Sequence, residues 1–513
     1  MNRLLHDFLE AHADRQPDKT ALVCGASRLT YAQVEARTNR LAHALRENGL
    51  QRGDRVVLYL PNSVELATGI FGVLKAGGVF VVVNHTTKAG KLAYILRDCG
   101  AQALITGGRQ SREAEESLRV NAGAVLPQTL VLTSGKTPAA PKGVRTLRWE
   151  AIQQEYPATR PPHVNIDLDL ACLVYTSGST GDPKGVMEGH DNAVFAAQSI
   201  IEYLGNRPDD IVFNALPLSF DYGLYQWLMV TIFGGTLVLE RSFAFPAAAL
   251  KKMAAERITG FPGVPTIFAV LLEMDLSPYD LSHLRYITNT AAALPPSHIT
   301  ALRKKFPQAA LFSMYGLTET KRTLYLPPGQ LDTRPASVGI PIPGTEAWLE
   351  DEQGNRLPPG STGELVVRGR HVMRGYWNKP EATARRYRPG PTPGERLCYT
   401  DDLFRQDEEG YFYFLSRMDD IIKSRGEKVP PKEVETVLYA LPGVREALVV
   451  GVPDPLLGEA IKAYIASDDP NLTETDVLRH CRAHLEDFMV PQSVEFRDAL
   501  PRTSSGKLTR KGL

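Results

Sequence analysis

The chain has 513 residues, with 58 basic side chains against 58 acidic ones and a formal net charge of zero. A nucleic-acid partner would leave a basic excess or stripe, and neither is present. That length exceeds one ordinary hydrophobic core, so two or more domains are expected, and 43% hydrophobic with 23% charged residues is the balance of a soluble globular protein.

The N-terminus, Met1-Asn2-Arg3-Leu4-Leu5-His6-Asp7, lacks the apolar core of a signal peptide. The most apolar stretch, residues 66–83, is broken by Lys75 and by Gly77-Gly78, so it reads as a buried helix followed by a strand, not a membrane span. Cys24, Cys99, Cys172, Cys398 and Cys481 are odd in number and far apart, without CxxC spacing. They argue against a disulfide framework or zinc site and fit a reducing compartment. A cytoplasmic location is expected.

Residues 55–60 form a β-rich apolar run, residues 63–74 carry apolar side chains at helical spacing with Asn62 or Ser63 as N-cap, and residues 79–83 and 103–106 are further strands. Strand, helix, strand repeated in this way implies parallel sheets covered by helices. Residues 345–370 change character: Ala347-Trp348-Leu349, a turn at Gly354 and Glu364-Leu365-Val366-Val367 predict a small antiparallel unit. After Tyr411-Phe412-Tyr413-Phe414 a polar run over 416–428 precedes a unit of helix, strand, strand, helix character. The fold class is α/β, with a large N-terminal domain over 1–418 and a small α+β domain over 419–513. Residues 138–142 read as a Pro/Ala surface loop.

The most informative segment is Val174-Tyr175-Thr176-Ser177-Gly178-Ser179-Thr180-Gly181-Asp182-Pro183-Lys184-Gly185, directly after an apolar run. Glycines let backbone N–H groups approach an anion, while hydroxyls and one ammonium complete a polyphosphate cradle. A short Ser/Gly loop after a strand is also common without any ligand. The GxxxxGK[ST] spacing of a Walker A loop is absent, which disfavours a P-loop kinase or GTPase.

Residues 175–185 resemble the phosphate-loop signature of the superfamily of acyl-CoA synthetases, peptide-synthetase adenylation domains and luciferases. Ser313-Met314-Tyr315-Gly316-Leu317-Thr318-Glu319-Thr320 is similar to its second signature. Alone it would read as a turn followed by an N-capped helix. The resemblance implies that Tyr315 stacks on adenine beside Gly316, that Thr318 contacts phosphate, and that Glu319 helps hold Mg²⁺, an ion suited to one or two carboxylates plus phosphate oxygens. Tyr399-Thr400-Asp401-Asp402-Leu403 resembles the ribose-binding motif; Asp402 would accept two hydrogen bonds from the diol, and Asp401 replaces the usual glycine and is expected to face solvent.

The run from Leu415 to Lys428, by itself a solvated charged linker, resembles the hinge. Arg417 would reach ribose or phosphate, Asp419 would be the pivot, and Gly426 would line the thiol channel. Ser416 stands where glycine is usual. Pro501-Arg502-Thr503-Ser504-Ser505-Gly506-Lys507 resembles the catalytic-lysine loop, with Lys507 as a point charge on the carboxylate and α-phosphate. Ala291-Ala292-Ala293 falls where the family often has glycines beside adenine, and Gly375-Tyr376-Trp377 also fits. By this resemblance residues 1–418 bind ATP and the acid, and 419–513 form a mobile lid.

The implied activity is formation of an acyl-AMP from ATP and a carboxylic acid, then transfer to a pantetheine thiol of CoA or a carrier protein. Thr176, Lys184, Glu319 and Lys507 carry the chemistry, and Ser177, Gly178, Ser179, Thr180 and Gly181 complete the nucleotide loop. Phe220, Asp221, Tyr222, Tyr225, Asn289 and Met314 fall where the acyl pocket is lined. Asp221 keeps a second reading open, an amino-acid-activating enzyme in which it pairs with the substrate amine and the carrier acts in trans. It could equally serve as a helix N-cap or structural hydrogen bonder. The sequence around it and Ser424-Arg425-Gly426-Glu427-Lys428-Val429 is closer to acyl-CoA ligases, so a fatty, aryl or other organic acid is favoured. A luciferase-like oxygenase and an inactive nucleotide-binding scaffold are the remaining alternatives; retention of Lys184, Glu319, Asp402 and Lys507 together opposes the second. A monomer or homodimer is expected.

Overall fold

The computed structural model describes residues 2–121, 126–135, 143–176, 182–290, 294–424, 427–454, 457–502, 508–510 and 513. Two sheets with parallel centres dominate it. One has seven strands in the order Arg145–Arg148, Thr129–Leu132, Ala101–Thr106, Arg55–Tyr59, Val79–Val83, Leu170–Thr176 and Lys184–Gly189. Every neighbouring pair in it is parallel except the last. The other has nine strands, with a parallel run from Ala310–Tyr315 through Tyr286–Asn289, Gly260–Gly263, Ile211–Asn214 and Thr236–Leu239 to Thr20–Cys24.

The local code follows from the residues. Val79–Val83 is buried at every position, as a strand covered on both faces must be. Ser63 caps the helix Val64–Lys75, its hydroxyl accepting from Leu66 N–H at 3.2 Å. The helix Asp221–Phe233 is buried almost all round, and Trp227 Nε1 donates to Ala67 O of that first helix at 3.0 Å. It lies in a single apolar core shared by helices and strands of both large sheets. Its entry is tight: a Cβ on Gly223 would sit 2.4 Å from Pro217 O.

The expected antiparallel unit is present. Glu346–Glu350 pairs antiparallel with Thr362–Arg368, which pairs with Arg396–Gln406 in a five-stranded sheet completed by Tyr387–Pro389 and Phe412–Arg417. Gly354 turns at φ +81°. Beyond Ile422 a second five-stranded sheet carries the helices Pro431–Tyr439 and Glu474–His484 around its own core of Val434, Leu438, Val449, Ile461, Ile465 and Val477. All five cysteines are free. Among the described residues no helix is long and apolar enough to cross a membrane. Residues 138–142 lie outside the described residues.

The turn and capped helix that residues 313–320 would suggest alone, a reading set aside once the segment is paired with the first motif, does not form: Ala310–Tyr315 is a strand, and the chain then turns, with Thr320 N–H donating to Leu317 O at 3.0 Å.

Candidate active site

The site forms where strands of both large sheets end. Leu170–Thr176 and Lys184–Gly189 pair antiparallel, placing Thr176 directly opposite Lys184, with Thr176 Oγ1 donating to Lys184 O at 3.5 Å. The two ends of the phosphate loop are thus held together. Ser177, Gly178, Ser179, Thr180 and Gly181 between them lie outside the described residues, as do Ala292, Gly426 and Lys507. Asp419 belongs to the short turn Met418–Asp420, and its side chain is likewise outside.

The ammonium of Lys184 lies 5.3 Å above the ring of Tyr376, whose hydroxyl donates to Glu319 Oε1 at 2.6 Å. Met373 N–H donates to Glu319 O at 3.0 Å, and Trp377 N–H to Gly185 O at 2.8 Å. The Gly375-Tyr376-Trp377 segment therefore ties the first motif to the second. Burial opposes the charge on Arg386, but Glu319 and its neighbours hold its pKa above the ordinary value.

Tyr315 closes its strand with its ring edge-on to Phe404 at 4.8 Å, and its hydroxyl donates to Asp402 Oδ2 at 2.5 Å. Asp402 stands opposite Arg417 in the sheet, with Arg417 Nε 3.7 Å from Oδ1. Burial pushes the Asp402 carboxyl up to about 6, against the pull of Arg417 and of the Tyr315 hydroxyl. Asp401 faces outward as expected, its side chain 65% exposed and Oδ2 2.8 Å from Arg386 Nη1. Its φ of +52° is in the left-handed region, where glycine meets no Cβ penalty. Gly316 is needed for space: a Cβ there would lie 1.6 Å from Lys321 O. Thr318 is half-buried in the turn that follows.

The candidate acyl-pocket residues are spread over three elements, one helix with its N-cap and two strands. Phe220, not Asp221, occupies the N-cap of the helix Asp221–Phe233 and makes no side-chain cap bond, so the capping alternative for Asp221 is set aside. Asp221 Oδ1 accepts from Tyr222 N–H at 2.9 Å. Tyr222 OH donates to Thr288 O at 2.8 Å, and Tyr225 OH donates to Glu188. Asn289 ends the strand Tyr286–Asn289, and Met314 Sδ accepts from Tyr203 OH at 2.9 Å.

Sequence reasoning missed Tyr203, Glu188, Lys321, Arg322 and Arg386, which surround these groups. A signal existed for three of them. Glu188 follows Val186-Met187 in a buried strand, and Lys321-Arg322 directly follow the second motif, where two adjacent cations beside an apolar pocket are unexpected.

Residues 9–377 match the family model described as AMP-binding enzyme, and residues 433–507 match the AMP-binding enzyme C-terminal domain. The chain belongs to the AMP-binding enzyme family. It is 35% identical to a feruloyl-CoA synthase of Amycolatopsis sp over 99% of this chain and 98% of that one. It is 32% identical to a long-chain-fatty-acid–CoA ligase of Bacillus subtilis (strain 168), covering 100% of this chain and 94% of the relative. Among solved structures it is similar to the anthranilate CoA ligase AuaEII in complex with anthranoyl-AMP, with a TM-score of 0.89 and 28% identity over 99% of this chain and 96% of that one. This family member is an AMP-forming acid–thiol ligase: it activates a carboxylic acid with ATP as an acyl-AMP and transfers the acyl group to a thiol.

Proposed function

We propose that this enzyme activates an organic acid outside the amino acids, fatty or aryl, and delivers it to CoA. The observation that carries the reading is the convergence of Lys184, Tyr376 and Glu319 with Tyr315, Asp402 and Arg417 at the ends of the parallel strands, where α/β sheets bind nucleotides.

Attack of a carboxylate on the α-phosphorus creates an oxygen-rich, highly charged transition state, so catalysis is positioning and electrostatics. Tyr315 and Asp402 place adenosine, with the carboxylate accepting from the ribose diol; the loop from Thr176 to Lys184 holds the polyphosphate; Lys507 answers charge at the reacting carboxylate. Glu319 fits a magnesium role, because Tyr376 engages one carboxylate oxygen and leaves the other for a ligand. Its single carboxylate leaves the remaining coordination to phosphate and water. When bound, the ion would neutralise phosphate charge. The boundary falls at Asp419, and rotation of residues 419–513 about it withdraws Lys507, presents Gly426 to pantetheine and keeps water from the acyl-AMP.

The amino-acid reading rests on an Asp221 free to bind an amine. The CoA-ligase relatives, matched over the whole chain, favour the organic-acid reading instead. Carboxylate-dependent ATP–pyrophosphate exchange over fatty, aryl and amino acids, each product then offered CoA or a holo carrier protein, tests the proposal. Exchange with amino acids alone, abolished in Asp221→Ala, would defeat it.

A further inference from the structure

Three cationic side chains are buried among the described residues: Lys75 at 3% exposure, Lys321 at 1% and Arg322 at 2%. A buried charge is costly unless it is paired and hydrogen-bonded. Lys75 obeys this rule, with its ammonium 2.5 Å from Glu10 and 2.9 Å from Glu35. Lys321 meets half of it, with Glu188 3.1 Å away as counter-ion while its ammonium makes no well-directed hydrogen bond. Arg322 meets neither half. Among the described residues no carboxylate lies within 4.0 Å of it, its guanidinium donates no hydrogen bond, and Nε is buried without a partner. Of the side chains outside the described set, only that of Asp419 is acidic.

The carboxylate beside Lys321 is already engaged: Glu188 receives Cys172 Sγ–H at 3.0 Å, the Tyr225 hydroxyl and the Lys321 ammonium. Asp221 accepts the N–H of its neighbour Tyr222 and lies within 4.0 Å of no described cation, Arg322 included. Arg322 instead lies against aromatic faces: its guanidinium carbon is 4.4 Å from the Tyr222 ring centroid, and its charge is felt by Tyr203, Tyr222 and Tyr225. A ring face attracts a cation but cannot satisfy a planar fork of five donors. Tyr222 and Tyr225 belong to the acyl-pocket set, and Tyr203 is bonded to Met314 of the same set. The backbone packs Arg322 against the second motif, since a Cβ on Gly316 would lie 2.9 Å from its Cα.

We propose that Arg322 is an anion subsite in the acyl pocket, and that the acid activated here carries a second carboxylate, distal to the one that is adenylated. The inference rests on the organic-acid reading of that pocket. A carboxylate matches the guanidinium fork by two parallel hydrogen bonds. A plain monocarboxylic acid would seal the same donors away from water with nothing to accept from them.

The test is pyrophosphate exchange by the full-length enzyme on aliphatic and aromatic acids presented as pairs of equal length, one member mono- and the other dicarboxylic. The wild type is expected to favour dicarboxylic acids by about 100-fold in kcat/KM, the scale of a buried charge pair. Arg322→Met should erase or invert that preference, read as the ratio of kcat/KM within each pair, and Arg322→Lys should recover part of it. A wild type that prefers monocarboxylic acids, or an Arg322→Met enzyme with unaltered selectivity, overturns the subsite and leaves the organic-acid reading standing. Exchange confined to amino acids overturns both. Wild-type selectivity is read without any variant, so a misfolded mutant does not protect the proposal.

Discussion

The hydroxyl of Tyr315 donates to Oδ2 of Asp402 at 2.5 Å, joining a strand of the nine-stranded sheet to the antiparallel unit 87 residues away. Tyr315→Phe keeps the ring and removes the donor. Leaving a buried carboxylate oxygen unpaired costs about 1–3 kcal/mol. Denaturant unfolding should show that loss, and, if the proposed adenosine site is right, KM for ATP should rise although the ring remains. Unchanged stability would mean that water replaces the hydroxyl.

Asp402 sets stability against function. Its carboxyl is raised from 3.8 to about 6 by burial. A raised folded value contributes stability that is complete below the unfolded value near 4 and is lost as pH rises through 6, so at neutral pH the ionised group costs about 3 kcal/mol. Asp402→Asn should therefore raise Tm of the nucleotide-free protein at pH 7.5, with the gain fading as pH falls from 6 towards 4. The same variant should raise KM for ATP about tenfold or more, since it loses the charge offered to the ribose diol. A lower Tm at pH 7.5 would contradict the sign.

Glu319→Gln removes the carboxylate charge while keeping an oxygen for the Tyr376 hydroxyl. Adenylation should slow by about 100-fold, and half-saturating Mg²⁺ should rise. An unaltered Mg²⁺ titration would place the ion elsewhere.

Gly316→Ala puts a methyl group 1.6 Å from Lys321 O, against backbone that cannot swing aside as a side chain can. The segment bearing Lys321 and Arg322 would have to shift. Activity should fall with a stability loss of about 1–3 kcal/mol or more, the range of overpacked sites. A variant as stable as the wild type would show that the turn is pliable.

Lys507→Ala should abolish adenylation and spare thioester formation from supplied acyl-AMP, because the charge is needed only while the carboxylate reacts. Equal loss of both half-reactions in single-turnover assays would refute the division of labour.

Much of this was legible before any coordinates. The family could be read because its motifs are short and contiguous, and Val79–Val83 because a strand buried on both faces must be apolar throughout. The Asp401 substitution could be seen as unusual, but only its φ of +52° explains why glycine suits that position. Tyr376 was noticed as part of a minor motif; nothing in its neighbours announces that its hydroxyl reaches Glu319, 57 residues earlier.

The sequence alone was enough for the class of chemistry, an AMP-forming ligase, because the motifs that mark the family are short and contiguous. Tertiary structure alone decided which charges answer one another. Glu188, Asp221, Lys321 and Arg322 come from three separate elements, and charge pairing depends on distance and burial, which no local pattern encodes. Only the folded structure shows that Lys321 has its counter-ion and that, among the described residues, Arg322 has none.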